Sequence, residues 1–269
     1  MKKTLILLVV IGSISQFATA QNTSTVIQSG DDNEVFVSQT GSFNEASIDQ
    51  SGDDNFASQT QNSTDGNLAT IDQSGSNNTA DQVQIGRDNQ AQITQIGDNN
   101  SASQEHDFEG GFMSINQSGS DNDAIQYQGS SDSVADIDQS GDGNSATQTQ
   151  TGTQSGAEDN FAFIEQSGNN NTAEQFQLAI GDDHVADILQ SGDDNIAFQS
   201  QEGDGNMAFS EQSGNFNESS QIQLGFENES TLLQSGDNNF ASVFQDGELH
   251  ISSITQGGNG NVANVSQTD

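Results

Sequence analysis

The chain has no cysteine, no proline and no tryptophan, and only three Lys and Arg residues together. Without cysteine there is neither a disulfide framework nor a thiolate metal site. Without proline every residue keeps the N–H that a strand ladder needs. The scarcity of basic residues, against 40 Asp and Glu, gives a formal charge of −37. Such a chain repels nucleic acid and anionic membrane surfaces, so neither is an expected partner. Apolar residues make up only 29% of the chain, a composition that by itself reads as disordered. Stability must therefore come from something other than a large apolar core.

Long hydrophobic runs are also missing. The one apolar stretch, Leu5 to Ile11, is too short to span a bilayer and follows Lys2 and Lys3. Ala18-Thr19-Ala20 supplies small residues at signal-peptidase spacing, so residues 1–20 are expected to be a cleaved export signal. The mature segment, 21–269, then keeps Arg87 as its one Lys or Arg, a formal charge of −39, and is expected to be secreted without inserting in a membrane.

What is present is a repeat, Gln-x-Gly-x-x-Asn-x-Ala followed by three residues. Gln28-Ser29-Gly30-Asp31-Asp32-Asn33, Gln39-Thr40-Gly41-Ser42-Phe43-Asn44 and Gln50-Ser51-Gly52-Asp53-Asp54-Asn55 show it in succession. The leading glutamine returns every eleven residues to Gln267, with insertions after Gln61, Gln150 and Gln177 that fall in turn-like segments. The position two before the glutamine reveals the true period of 22 residues. In alternate units it is apolar: Val26, Ile48, Ile71, Ile93, Ile115, Ile137, Ile164, Ile188, Leu232 and Ile254, with Ser210 the one lapse. In the units between it is mostly glutamine, from Gln59 to Gln221.

Counting back by twos from an anchor, as in Gln50, Ile48, Ala46 and Asn44, places all four side chains on one face of a strand. Glycine every eleven residues and abundant Asn, Ser and Thr oppose a helix. The predicted fold is all-β: a two-sheet β-solenoid of about eleven 22-residue strand-turn-strand coils. Buried amides in such a stack hydrogen-bond to their equivalents in the next coil, which is the logic of amyloid amide ladders. The residues expected to form the ladder are Gln28 and Asn33, Gln39 and Asn44, Gln50 and Asn55, Gln73 and Asn78, Gln95 and Asn100, and Gln117 and Asn122. They continue as Gln139 and Asn144, Gln166 and Asn171, Gln190 and Asn195, Gln212 and Asn217, Gln234 and Asn239, and Gln256 and Asn261.

No catalytic arrangement of Ser, His and Asp or of paired carboxylates stands out from the repeat, so neither an enzyme nor a cofactor is expected. His106 stands at an anchor Gln position, and His184 and His250 at anchor Asn positions; substitution within a polar ladder explains all three better than metal ligation. Acidic pairs such as Asp31-Asp32 and Asp53-Asp54 are expected to be solvated, mutually repelling turns. Phe56, Phe161, Phe163, Phe198, Phe209 and Phe240 fall at outward positions.

The repeat resembles the curlin repeat of bacterial curli subunits, Ser-x5-Gln-x-Gly-x-x-Asn-x-Ala-x3-Gln. Here Asn44-x5-Gln50-Ser51-Gly52-x-x-Asn55-Phe56-Ala57-x3-Gln61 follows it, with asparagine in place of the leading serine. The resemblance implies an amyloid-forming fibre subunit in the biofilm matrix, acting in cell adhesion. It implies as partners copies of itself, a nucleating minor curlin subunit and an outer-membrane secretion pore. The last coil, Leu249 to Asp269, has no Lys or Arg, so the chain is similar to a major subunit rather than the nucleating one. A monomeric secreted solenoid, acting as an adhesin or as an ice- or ligand-binding surface, is the alternative.

Overall fold

In a computed structural model, residues 21–63, 66–152, 159–179 and 183–269 are described. The expected signal peptide lies outside them, as do parts of the three insertions. The strands run from β1 (Thr23–Ser29) and β2 (Glu34–Gly41) to β21 (Ile251–Gly257) and β22 (Val262–Thr268). Odd-numbered strands form one 11-stranded sheet in chain order and even-numbered strands form a second. Neighbours within each sheet are parallel. The two sheets face each other, and one strand from each makes a coil.

Register follows the repeat. Val26 sits on Ile48 and Gln28 on Gln50 in the odd sheet, while Val37 sits on Gln59 and Gln39 on Gln61 in the even sheet. Parallel in-register pairing stacks each residue on its equivalent. That is why a coil can bury a Gln or an Asn: its neighbour above carries the complementary half of the hydrogen bond. The core between the sheets is thin. Ile48, Ile71, Ile93, Ile115, Ile137, Ile164 and Ile188 from the odd sheet pack on Ala57, Ala80, Ala102, Ala124, Ala146, Ala173 and Ala197 from the even sheet. Leu232 and Ile254 continue the apolar line with Ala241 and Val243. Small alanines let the sheets approach closely.

The turns are built for stacking as well. Gly97 has φ +119°, and a Cβ there would lie 2.0 Å from the carbonyl oxygen of Gly119 in the next coil. The third residue of the turn is left-handed, with Asp54, Asn77, Asn99 and Asp121 all near φ +60°. Several strands run past their anchor glutamine into the turn, as β3 (Glu45–Asp53) does through Gly52 and Asp53. β4 (Phe56–Ser63) continues through Asn62 and Ser63, which the repeat assigns to a turn. Asn62 pairs with Ile85 in the next coil, so the strand is held past its anchor.

Candidate functional site: the amide ladders and the two outer coils

Each anchor glutamine of the odd sheet donates from Nε2 to the Oε1 of the glutamine one coil onward. The line runs unbroken from Gln28 through Gln50, Gln73, Gln95, Gln117, Gln139, Gln166, Gln190, Gln212 and Gln234 to Gln256, with every bond between 2.8 and 3.0 Å. The second Nε2 hydrogen crosses to the other sheet, as from Gln73 to the Phe56 carbonyl at 3.0 Å. The amides therefore tie coil to coil and sheet to sheet. In the even sheet, Gln39 donates to Gln61 and Gln61 to Gln84. The line resumes from Gln128 through Gln150, Gln177, Gln201, Gln223 and Gln245 to Gln267.

Asparagines run the opposite way. Asn33 Oδ1 accepts the backbone N–H of Asn55, Asn55 accepts from Asn78, and the pattern continues through Asn100, Asn122, Asn144, Asn171, Asn195, Asn217 and Asn239 to Asn261 at 3.0–3.1 Å. Their Nδ2 groups donate to glycine carbonyls of the next turn, as from Asn100 to Gly119 at 2.9 Å. Asn44 belongs to the second asparagine column, where it accepts from Asn67, which accepts from Asn89. The ladder extends beyond the residues named from the repeat. Asn67, Asn89, Asn206 and Asn228 belong to it, and so does a third glutamine column from Gln59 to Gln221. The asparagines share the eleven-residue spacing of the anchors and the third glutamine column follows the 22-residue period, apart from the insertions.

The histidines take different parts. His184 replaces asparagine atom for atom: Nδ1 accepts the Asn206 N–H at 3.2 Å and Nε2 reaches the Gly203 carbonyl at 3.0 Å. Burial holds its pKa below the ordinary value. His106 interrupts the even glutamine line. Both its ring nitrogens and Gln128 Oε1 lack partners, and burial lowers its pKa to about 4. The asparagine position across the turn is Gly111, where a Cβ would lie 2.4 Å from the ring. The imidazole fills the space that an asparagine side chain would have used.

The outer surfaces are acidic but ordered. Along one turn, Asp53, Ser76, Asp98, Ser120, Asp142, Asn169, Asp193, Asn215, Asp237 and Asn259 occupy the same place in successive coils. The side-chain oxygen of each Asp or Asn accepts a backbone N–H from the coil before, as from Ser76 to Asp98 at 2.8 Å. Acidic and neutral residues alternate, so in this column carboxylates are spaced two coils, about 10 Å, apart. Repulsion between successive turns, expected from the sequence, is confined here to the Asp31–Asp53 step. Outward aromatics pair within and between strands, with Phe161 stacked on Phe163 at 6.5 Å along β13 (Phe161–Ser167) and Phe36 of β2 against Phe56 of β4 at 5.8 Å.

These features define a structural repeat protein: a parallel two-sheet β-solenoid whose interior is bound by amide ladders. More than half of the chain matches the model of the curlin associated repeat, in segments 12–41, 30–62, 64–97, 86–125, 222–247 and 236–268. The chain belongs to the curlin repeat family, a structural family of extracellular fibre subunits. No curated protein matches it.

Proposed function

We propose that this protein is the structural subunit of a secreted amyloid fibre, in which copies stack end to end so that the ladders of one continue into the next. The observation behind this reading is the form of the two ends. Among the described residues, β1 and β2 close one end of the sheets, β21 and β22 the other, and each has a neighbour on one side only. An edge of this kind is a template for another strand. A fibre grown on it serves as biofilm matrix and in cell adhesion, with a nucleating minor subunit and an outer-membrane pore as the partners the family implies.

Incubating the chain from Gln21 at micromolar concentration tests it. Thin thioflavin-binding fibres are expected. A monodisperse monomer lasting days would reject the fibre and leave a monomeric surface solenoid.

A further inference from the structure

The third glutamine column differs at its ends. It runs from Gln59 to Gln221, but the equivalent residue is Val37 in β2, and Val243 and then Val265 in the last two coils of the even sheet. These substitutions leave a mark. Gln59 Oε1 is buried without a partner, because Val37 has no amide to give it. At the other end Gln221 Nε2 turns to Ser230 Oγ at 2.8 Å. A glutamine at position 37 would have completed the column within one chain. Valine there leaves a buried acceptor unpaired, which costs stability in the monomer.

We propose that Val37 and Val265 form a dedicated joint, at which the last coil of one copy stacks in register on the first coil of a second copy of this chain. This rests on the end-to-end fibre proposed above and adds its polarity, register and recognition residues. Continuing the 22-residue register across the joint places Val265 on Val37, Ile254 on Val26 and Ala263 on Val35. The apolar column Val243–Val265 then runs into the next chain, and no amide faces a valine across the joint itself. The anchor columns fix the direction. Gln256 and Gln267 end their lines with an Nε2 group, and Gln28 and Gln39 begin theirs with an Oε1 group. Last coil on first coil pairs donor with acceptor, whereas first on first opposes acceptor to acceptor. A slip of two residues would place Gln267 on Val37 and bury an amide against a methyl group. The valines therefore exclude slipped joints as well as strengthen the aligned one.

Seeded elongation of Val37→Gln, Val265→Gln and the double variant, each on its own sheared seeds, tests this. Val37→Gln should keep the monomer fold by circular dichroism, since the introduced amide can donate to Gln59 Oε1. Val265→Gln changes a half-exposed position in the last strand that packs on Val243, so its monomer fold is checked by circular dichroism in the same way. Each single variant is expected to elongate about tenfold more slowly or worse, because it sets an amide against a valine. The double variant is expected to regain most of the rate, because the two introduced amides then meet across the joint, donor to acceptor. Single variants that elongate at the wild-type rate, or a double variant slower than both, would overturn the joint while leaving the fibre standing. A wild-type chain that forms no fibre would overturn both.

Discussion

His106 shows how much one side chain changes in a stack. Its ring fits because Gly111 has no Cβ, yet it leaves Gln128 Oε1 unpaired. Gly111→Ala alone should destabilise the chain by about 1–3 kcal/mol through overpacking against the ring. In a His106→Gln background the same change should cost much less, since glutamine restores the ladder and withdraws from that space. Denaturant midpoints of the four proteins measure the coupling, and simple additivity would contradict the contact. The pH dependence follows in sign. The buried ring is neutral and its pKa is lowered from 6.5 to about 4. Its contribution is therefore complete above pH 6.5 and is lost as pH falls toward 4, because the unfolded state takes up the proton first. His106→Gln should remove that part of the acid sensitivity. Left-handed turn positions offer a simpler test. Phe43, Phe216 and Leu249 adopt φ of 57–60°, where Asn or Gly is less strained. Phe216→Asn should raise stability by up to about 1 kcal/mol.

At the scale of the strand, each interior amide serves three neighbours. Gln139 accepts from Gln117, donates to Gln166 and donates across to the Asp123 carbonyl. Gln139→Ala should cost roughly 2–4 kcal/mol, since it leaves buried polar groups unpaired as well as a gap. An outward change such as Thr147→Ala should fall within about 0.5 kcal/mol. Equal effects in equilibrium unfolding would refute the ladder as the source of stability. The outer face of the odd sheet carries the opposite pH signal to His106. Burial raises the pKa values of Asp72, Asp136, Asp138 and Asp187, with Asp49 adding to the effect at Asp72 and Glu165 at Asp187. Their ionisation weakens the fold above these raised values, and the loss is recovered as pH falls through them toward the ordinary 3.8.

Strand facing, coil length and the anchor lines were legible in the sequence because a repeat states each rule many times over. Ile48 to Ile188 could not face outward without turning every anchor outward too. What the repeat hid were its exceptions. Val37, Val243 and Val265 are ordinary strand residues until the register stacks them on a glutamine column. Gly111 is an ordinary turn glycine until His106 lies across from it. The alternation from Asp53 to Asn259 needs the coils superposed before it shows.

For the whole molecule the dominant opposing force is charge. The chain from Gln21 carries a formal −39, and stacking copies brings acidic surfaces together. Salt should therefore speed assembly, as the screening length falls to about 3 Å at 1 M. Light-scattering rates that stay flat across that range would contradict a charge-limited step. The alternating turn column keeps the effect smaller than a continuous line of carboxylates would give. At the joint, Asn259 of one copy would precede Asp31 of the next, so no carboxylate meets another across it in that column. The central claim is that copies add coil upon coil along one axis. Diffraction from aligned fibres tests it most directly. A reflection near 4.8 Å along the fibre axis is expected, with a longer axial repeat of about 50 Å from eleven stacked coils. Strands running along the fibre axis, or the 4.8 Å spacing lying across it, would contradict the account.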